Sequence, residues 1–167
     1  MTKVTIQSEP RPFVFDVEHS ALMIIDMQHD FCSTGGYVDH SGADVNMLRR
    51  PIGPIQAVLQ QARRVGMTVI FTREGHRPGL EDCPPAKMER TVWVGHTIGK
   101  KGPLGRLLVR GEKGNQIIDE LRPLPTEVII DKPAKGAFYG TELDVVLRAR
   151  QITHLLFTGV TINICVE

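Results

Sequence analysis

At 167 residues, 41% hydrophobic and 23% charged, the chain has the size and balance of one soluble globular domain. A formal net charge of +1 argues against broad attraction to nucleic acid or to anionic membrane, and no stretch approaches the ~20 apolar residues of a membrane span. The three cysteines, Cys32, Cys83 and Cys165, lack C-x-x-C spacing and suggest neither a disulfide framework nor a structural zinc site, so a cytoplasmic protein with reduced thiols is expected.

Residues 1–19 hold Pro10, Pro12 and Phe13 without clear periodicity and read as an extended arm without chemistry. Ala21-Leu22-Met23-Ile24-Ile25 is a continuous apolar run, suited to a strand buried on both faces of a parallel sheet, and it ends in Asp26. After a loop over Met27–Gly42, a helix is predicted from about Pro51 to Val65. Ile52, Ile55, Val58, Leu59 and Ala62 would form its apolar face, with Gly66 just past its end. Met67–Phe71 reads as a second buried strand, completing a right-handed βαβ unit.

Residues 72–114 are rich in proline and glycine and read as loop with one or two short strands. A short helix over Asn115–Leu121 and a third strand over Glu127–Asp131 follow, with Lys132 emerging beside Pro133 at the same sheet edge as Asp26. Thr141-Glu142-Leu143-Asp144 resembles a capping box opening a helix to about Arg150. The strand-like run His154–Phe157 then feeds a Thr158-Gly159 turn. Cys165 stands where a further helix should begin, a position that favours thiolate over thiol.

Open α/β sheets gather their functional groups outside the C-terminal ends of the strands. Asp26, Lys132 and Cys165 each follow a predicted parallel strand, and neighbouring strands would bring them to one pocket. A carboxylate that accepts a thiol proton, a cation that steadies the charge, and the thiol itself are the parts of an activated nucleophile.

Three segments carry a family resemblance: Asp26-Met27-Gln28-His29-Asp30-Phe31, Asp131-Lys132-Pro133 with Gly136-Ala137-Phe138, and Thr158-Gly159-Val160-Thr161 with Asn163, Cys165, Val166 and Glu167. In order and spacing they are similar to the signature segments of the isochorismatase-like cysteine hydrolases. Gly35–Asp39, Thr72–Pro78 and Leu108–Glu112 look closest to the biuret and triuret hydrolase branch, with the ureidoacrylate amidohydrolases as near neighbours.

The resemblance implies one domain over residues 1–167, a three-layer α/β/α fold with a mostly parallel, Rossmann-like sheet of about six strands. It implies a Cys165-Asp26-Lys132 triad that hydrolyses a linear amide or ureide C–N bond of a small molecule through a thioester. The oxyanion would rest on the backbone N–H groups of Thr161 and Cys165, next to a cis Val160-Thr161 peptide. Phe31, Tyr37, Glu74, Arg77 and Phe138 are the candidates for the pocket wall.

No cofactor and no metal are expected, although Glu74, His76 and His96 fall where the nicotinamidase branch holds a divalent ion. A homo-oligomer is expected, with no nucleic-acid or membrane partner. Family members continue through the nucleophile's helix and beyond, so residues 1–167 alone are expected to be unstable and inactive. A different reading is a catalytically idle binding or assembly subunit.

Overall fold

The structure is a computed structural model that describes residues 3–93 and 95–166; Met1, Thr2, Val94 and Glu167, the last residue of the third signature segment, lie outside the described residues. The N-terminal arm is a hairpin of β1 (Lys3–Ile6) and β2 (Phe13–Asp16), paired antiparallel from Lys3 opposite Asp16 to Ile6 opposite Phe13. The chain then enters β3 (Ser20–Ile25), whose six residues are all buried. Three one-turn helices follow, α1 (His29–Cys32), α2 (Tyr37–His40) and α3 (Val45–Arg49), before the long helix α4 (Ile52–Arg64). Then come β4 (Thr68–Glu74), α5 (Pro85–Trp93) and the two-residue strands β5 (Lys101–Gly102) and β6 (Gly105–Arg106). β7 (Val128–Lys132), α6 (Leu143–Ala149) and β8 (His154–Gly159) complete the order.

β7, β4, β3 and β8 form, in that spatial order, a parallel sheet. Four strands replace the six or so that the resemblance implied, and they coincide with the four apolar runs of the sequence. Alternation along β3 explains the three layers. Leu22 and Ile24 face α4 within one core cluster, while Ala21, Met23 and Ile25 face Leu143 and Leu147 of α6 in the other. A strand with a helix on each face must be apolar throughout, which is why β3 reads as an unbroken run.

On α4, Ile52, Ile55, Leu59 and Ala62 recur at helical spacing and are buried, each Ile or Leu contributing about 1.5–3 kcal/mol. Val58 does not join them: it is half-exposed at an apolar hollow between α4 and the N-terminal hairpin. Gly66, at φ 72°, takes the left-handed turn that ends the helix.

Three local expectations change. Pro85–Trp93 is a helix, where loop or strand was expected. Asn115–Leu121 is not helical apart from a single turn at Asp119–Leu121, because Ile117 bridges to Gln28 and the Ile118 N–H donates to the Met27 carbonyl. In the capping box, Thr141 Oγ1 accepts from the Leu143 N–H at 3.2 Å, whereas Asp144 pairs with Arg148. No helix among the described residues is long and apolar enough to cross a membrane.

Candidate active site

Each strand of the sheet delivers a polar group to the same edge. Asp26 directly follows β3 and takes a left-handed φ of 50°, a conformation that aspartate tolerates better than β-branched residues do. β4 contributes Thr72 and Glu74, two residues apart and therefore on one face, while Arg73 between them turns away to pair with Asp131. Register places Glu74 opposite Lys132, the last residue of β7. β8 ends at Gly159, opposite Ile25, where a side chain would collide with the Ile25 backbone. A cis Val160-Thr161 bond then leads into one wide helical turn, Ile162–Val166, that carries Cys165.

The groups converge. Lys132 Nζ lies 2.7 Å from Asp26 Oδ2 and 3.9 Å from Glu74 Oε2, and it donates to the carbonyls of Ala134 at 3.1 Å and Lys135 at 2.8 Å. Thr72 Oγ1 donates to Asp26 Oδ1 at 2.6 Å. Lys87, from α5, donates to Glu74 Oε1 at 2.7 Å and to the Pro133 carbonyl at 2.9 Å. The Cys165 thiol is 3.6 Å from Glu74 Oε2, and ligand atoms of Asp26, Glu74 and Cys165 all lie within 4.8 Å of one another. Cys165 N–H donates to the Thr161 carbonyl at 3.0 Å.

Environment separates the two carboxylates. Burial raises the pKa of Asp26, and the opposing pull of Lys132 and Thr72 does not cancel it. Burial also works to raise Glu74, but Lys87 and Lys132 outweigh it and hold that carboxyl below its usual range. The two carboxyls, side by side, are thus driven in opposite directions. Burial and the nearby Asp26 push the Cys165 thiol up. The position after β8 taken alone favours a thiolate, whereas burial beside Asp26 and Glu74 works in the opposite direction.

A cavity of about 340 Å³ opens onto Cys165 and Thr161, walled by Phe31, Tyr37, Glu74, Lys87, Arg90, Thr91 and His96 among others. Phe31 and Tyr37 meet edge to face at 6.3 Å, and Tyr37 meets His96 likewise at 4.6 Å. Arg77 and Phe138 are not in this wall. Arg77 is exposed where its N–H caps Asp82, and Phe138 lies 55% exposed. The wall includes Lys87, Arg90 and Thr91, which the sequence reading missed; their i, i+3, i+4 spacing was the available signal of a helix face.

Among the described residues, only Asp26, Glu74 and Cys165 bring three acid, thiol or imidazole donors together, so Glu74, His76 and His96 do not form such a group. His76 bonds Asp82 instead, at 3.2 Å. The Asp26, Glu74 and Cys165 set suits a divalent ion poorly, because lysine ammonium groups already lie 2.7 Å from each carboxylate.

A parallel sheet that brings a buried thiol, two carboxylates and the Lys132 ammonium to one edge, with Lys87 added from α5, is the arrangement of a cysteine hydrolase of the α/β class. The isochorismatase domain pattern matches residues 20–167, and the chain belongs to the isochorismatase family. It is 35% identical over 177 aligned positions to the ureidoacrylate amidohydrolase RutB of Cronobacter sakazakii, covering 100% of this chain and 73% of that protein. The corresponding protein of Cronobacter turicensis is 36% identical, with the same coverage. Among solved structures, a cysteine hydrolase from Pseudomonas syringae superposes with a TM-score of 0.73 at 26% identity, over 99% of this chain and 68% of that one. N-carbamoylsarcosine amidase from Thermoplasma acidophilum gives 0.66 at 31% identity, over 88% and 70%.

Proposed function

We propose that this hydrolase is an amidohydrolase that cleaves a C–N bond of a small linear ureide, with Cys165 as nucleophile, Asp26 as general acid and base, and Lys132 as the cation that governs Asp26. The observation that carries the reading is the approach of Asp26 and Cys165 within 4.8 Å, with Cys165 lining the cavity and Lys132 2.7 Å from the buried Asp26 carboxylate.

As the substrate carbonyl approaches, the thiol proton passes to Asp26 while sulfur bonds to the carbonyl carbon. A thiol of raised pKa suits this order, since it stays neutral until an electrophile is present. The tetrahedral oxyanion is received by the backbone N–H groups of Thr161 and Cys165, the latter leaving the Thr161 carbonyl to do so. The C–N bond breaks as Asp26 returns its proton to the departing nitrogen, leaving a thioester. Water then gives a proton to Asp26 and adds to the acyl carbon, and collapse expels the sulfur, which recovers the proton.

Two substrate types fit this chemistry, an uncharged biuret or triuret and a carboxylated ureide such as ureidoacrylate. Ammonia release from biuret, triuret, ureidoacrylate and nicotinamide, by wild type and by Cys165→Ser, tests the reading. Hydrolysis of at least one ureide that disappears in Cys165→Ser is expected. Activity on nicotinamide alone would move the protein to another branch, and no turnover at all would favour an idle binding subunit.

A further inference from the structure

We infer that Arg90 and Lys135 form an anion clamp at the pocket mouth, so that the ligand is a ureide carrying a carboxylate rather than an uncharged one; this rests on the ureide reading above. The active-site cavity is lined by three cations, Lys87, Arg90 and Lys135, and by a single acid, Glu74. A second hollow of about 310 Å³ adjoins it, lined by Ala86, Lys87, Arg90, Ala134 and Lys135 with no acid at all. The same three cations therefore border both spaces.

Their partners distinguish them. Lys87 is committed to Glu74 and to the Pro133 carbonyl. Among the described residues, the side chains of Arg90 and Lys135 have no hydrogen-bonding or ion-pairing partner. Two uncompensated cations beside a partly enclosed space attract an anion, and a guanidinium offers a planar pair of donors matched to a carboxylate.

The jaws are also held in place. Lys87 ties α5 to the loop after β7, and Arg90 follows it on the same helix face. On the opposite side, the buried Lys132 ammonium binds the carbonyls of Ala134 and Lys135, fixing the backbone that carries the Lys135 side chain. The ammonium that governs Asp26 thus also sets one jaw of the clamp. A ligand held there by its carboxylate would extend its ureide into the cavity toward Cys165, and prior positioning of that kind lowers the cost of binding.

The test is calorimetric titration of Cys165→Ala with ureidopropionate and with its uncharged amide, repeated in Cys165→Ala carrying Arg90→Gln and Lys135→Gln. Ureidopropionate should bind at least about tenfold more tightly than the amide, and the two glutamine substitutions should remove that preference while leaving amide binding within about threefold. Equal binding of the two compounds, no binding of ureidopropionate, or a preference that survives both substitutions overturns the clamp. Binding does not require turnover, so a clamp that passes this test in a protein that hydrolyses no ureide would count against the proposed reaction alone.

Discussion

Lys132 Nζ and Asp26 Oδ2 stand 2.7 Å apart with both side chains fully removed from solvent. Neither charge has water to fall back on, so each depends on the other and on the hydrogen bonds around them. Lys132→Met removes the cation and leaves Asp26 with only the Thr72 hydroxyl as a stabilising donor, beside Glu74, which raises its pKa further. The expected result is a loss of about 3–5 kcal/mol in unfolding free energy by denaturant titration. Ureide hydrolysis should fall by at least about a hundredfold, the scale of acid–base catalysis. Lys132→Met combined with Asp26→Asn should recover part of the stability and none of the activity. A Lys132→Met protein that keeps wild-type turnover would contradict the role given to the pair.

Cys165→Ser changes one buried atom and leaves the surrounding turn intact. Turnover should vanish, because a hydroxyl is a far weaker acid than a thiol and Asp26 is no strong base. The melting temperature should stay within a few degrees of wild type, since the serine hydroxyl keeps Glu74 as an acceptor and a one-atom exchange at this buried site costs about 1 kcal/mol. Residual hydrolysis above about one part in a thousand would remove Cys165 from the nucleophile's place.

The four strands were legible because parallel strands covered on both faces must be apolar, and the residues that break each run at its end, Asp26 and Lys132 among them, are the ones that meet. α5 was not legible. It buries only Thr91, and its ends are masked by Pro84, Pro85 and Gly95; it is held by the bonds of Lys87 to Glu74 and to the Pro133 carbonyl, contacts that no local pattern announces. Asn115–Leu121 misled for the converse reason. Its residues can be helical, but its backbone is taken up by Met27 and Gln28 across the fold. The upward push on the Cys165 thiol was not legible either, because the helix-end argument ignores burial, which only the packed structure reveals. Arg77 and Phe138 belong to matched segments, yet their side chains face solvent.

Glu74 is held ionised chiefly by Lys87 and Lys132 against the pull of burial. A carboxyl whose folded pKa is depressed contributes stability above its unfolded value, and that contribution is lost as pH falls through the folded value. Lys87→Met removes the nearer cation, so Glu74 should titrate at higher pH and begin to hold a proton in the range where Asp26 works. The acid limb of the pH–rate profile should therefore move upward relative to wild type. An unmoved profile would mean that Glu74 is not coupled to the reacting groups. The same variant should loosen α5 from the loop after β7, which proteolysis near Lys87 would reveal.

Asp30 gives the last prediction. It is buried, and its Oδ1 and Oδ2 accept the N–H groups of Tyr37 at 3.2 Å and Leu108 at 3.0 Å, so one carboxylate joins α1, the start of α2 and the loop after β6. Burial raises its pKa to about 6 despite those two bonds. The folded state thus keeps a proton that the unfolded chain has already released above about pH 4. Stability from this group is full below that value and is lost as pH rises through about 6, with a maximum slope of about 1.4 kcal/mol per pH unit. At pH 4 the protonated carboxyl can still accept at both oxygens, whereas asparagine puts a donor NH2 at one of them, so Asp30→Asn should be less stable at pH 4 by about 1–3 kcal/mol, the cost of one N–H left unsatisfied. It should also lack the decline between pH 4 and 6 that Asp30 adds to the wild type. Denaturant midpoints measured across pH 4–7 for both proteins isolate the difference, since Asp26 and Glu74 titrate in each. Parallel curves would show that Asp30 is ionised throughout and that its two backbone bonds outweigh its burial.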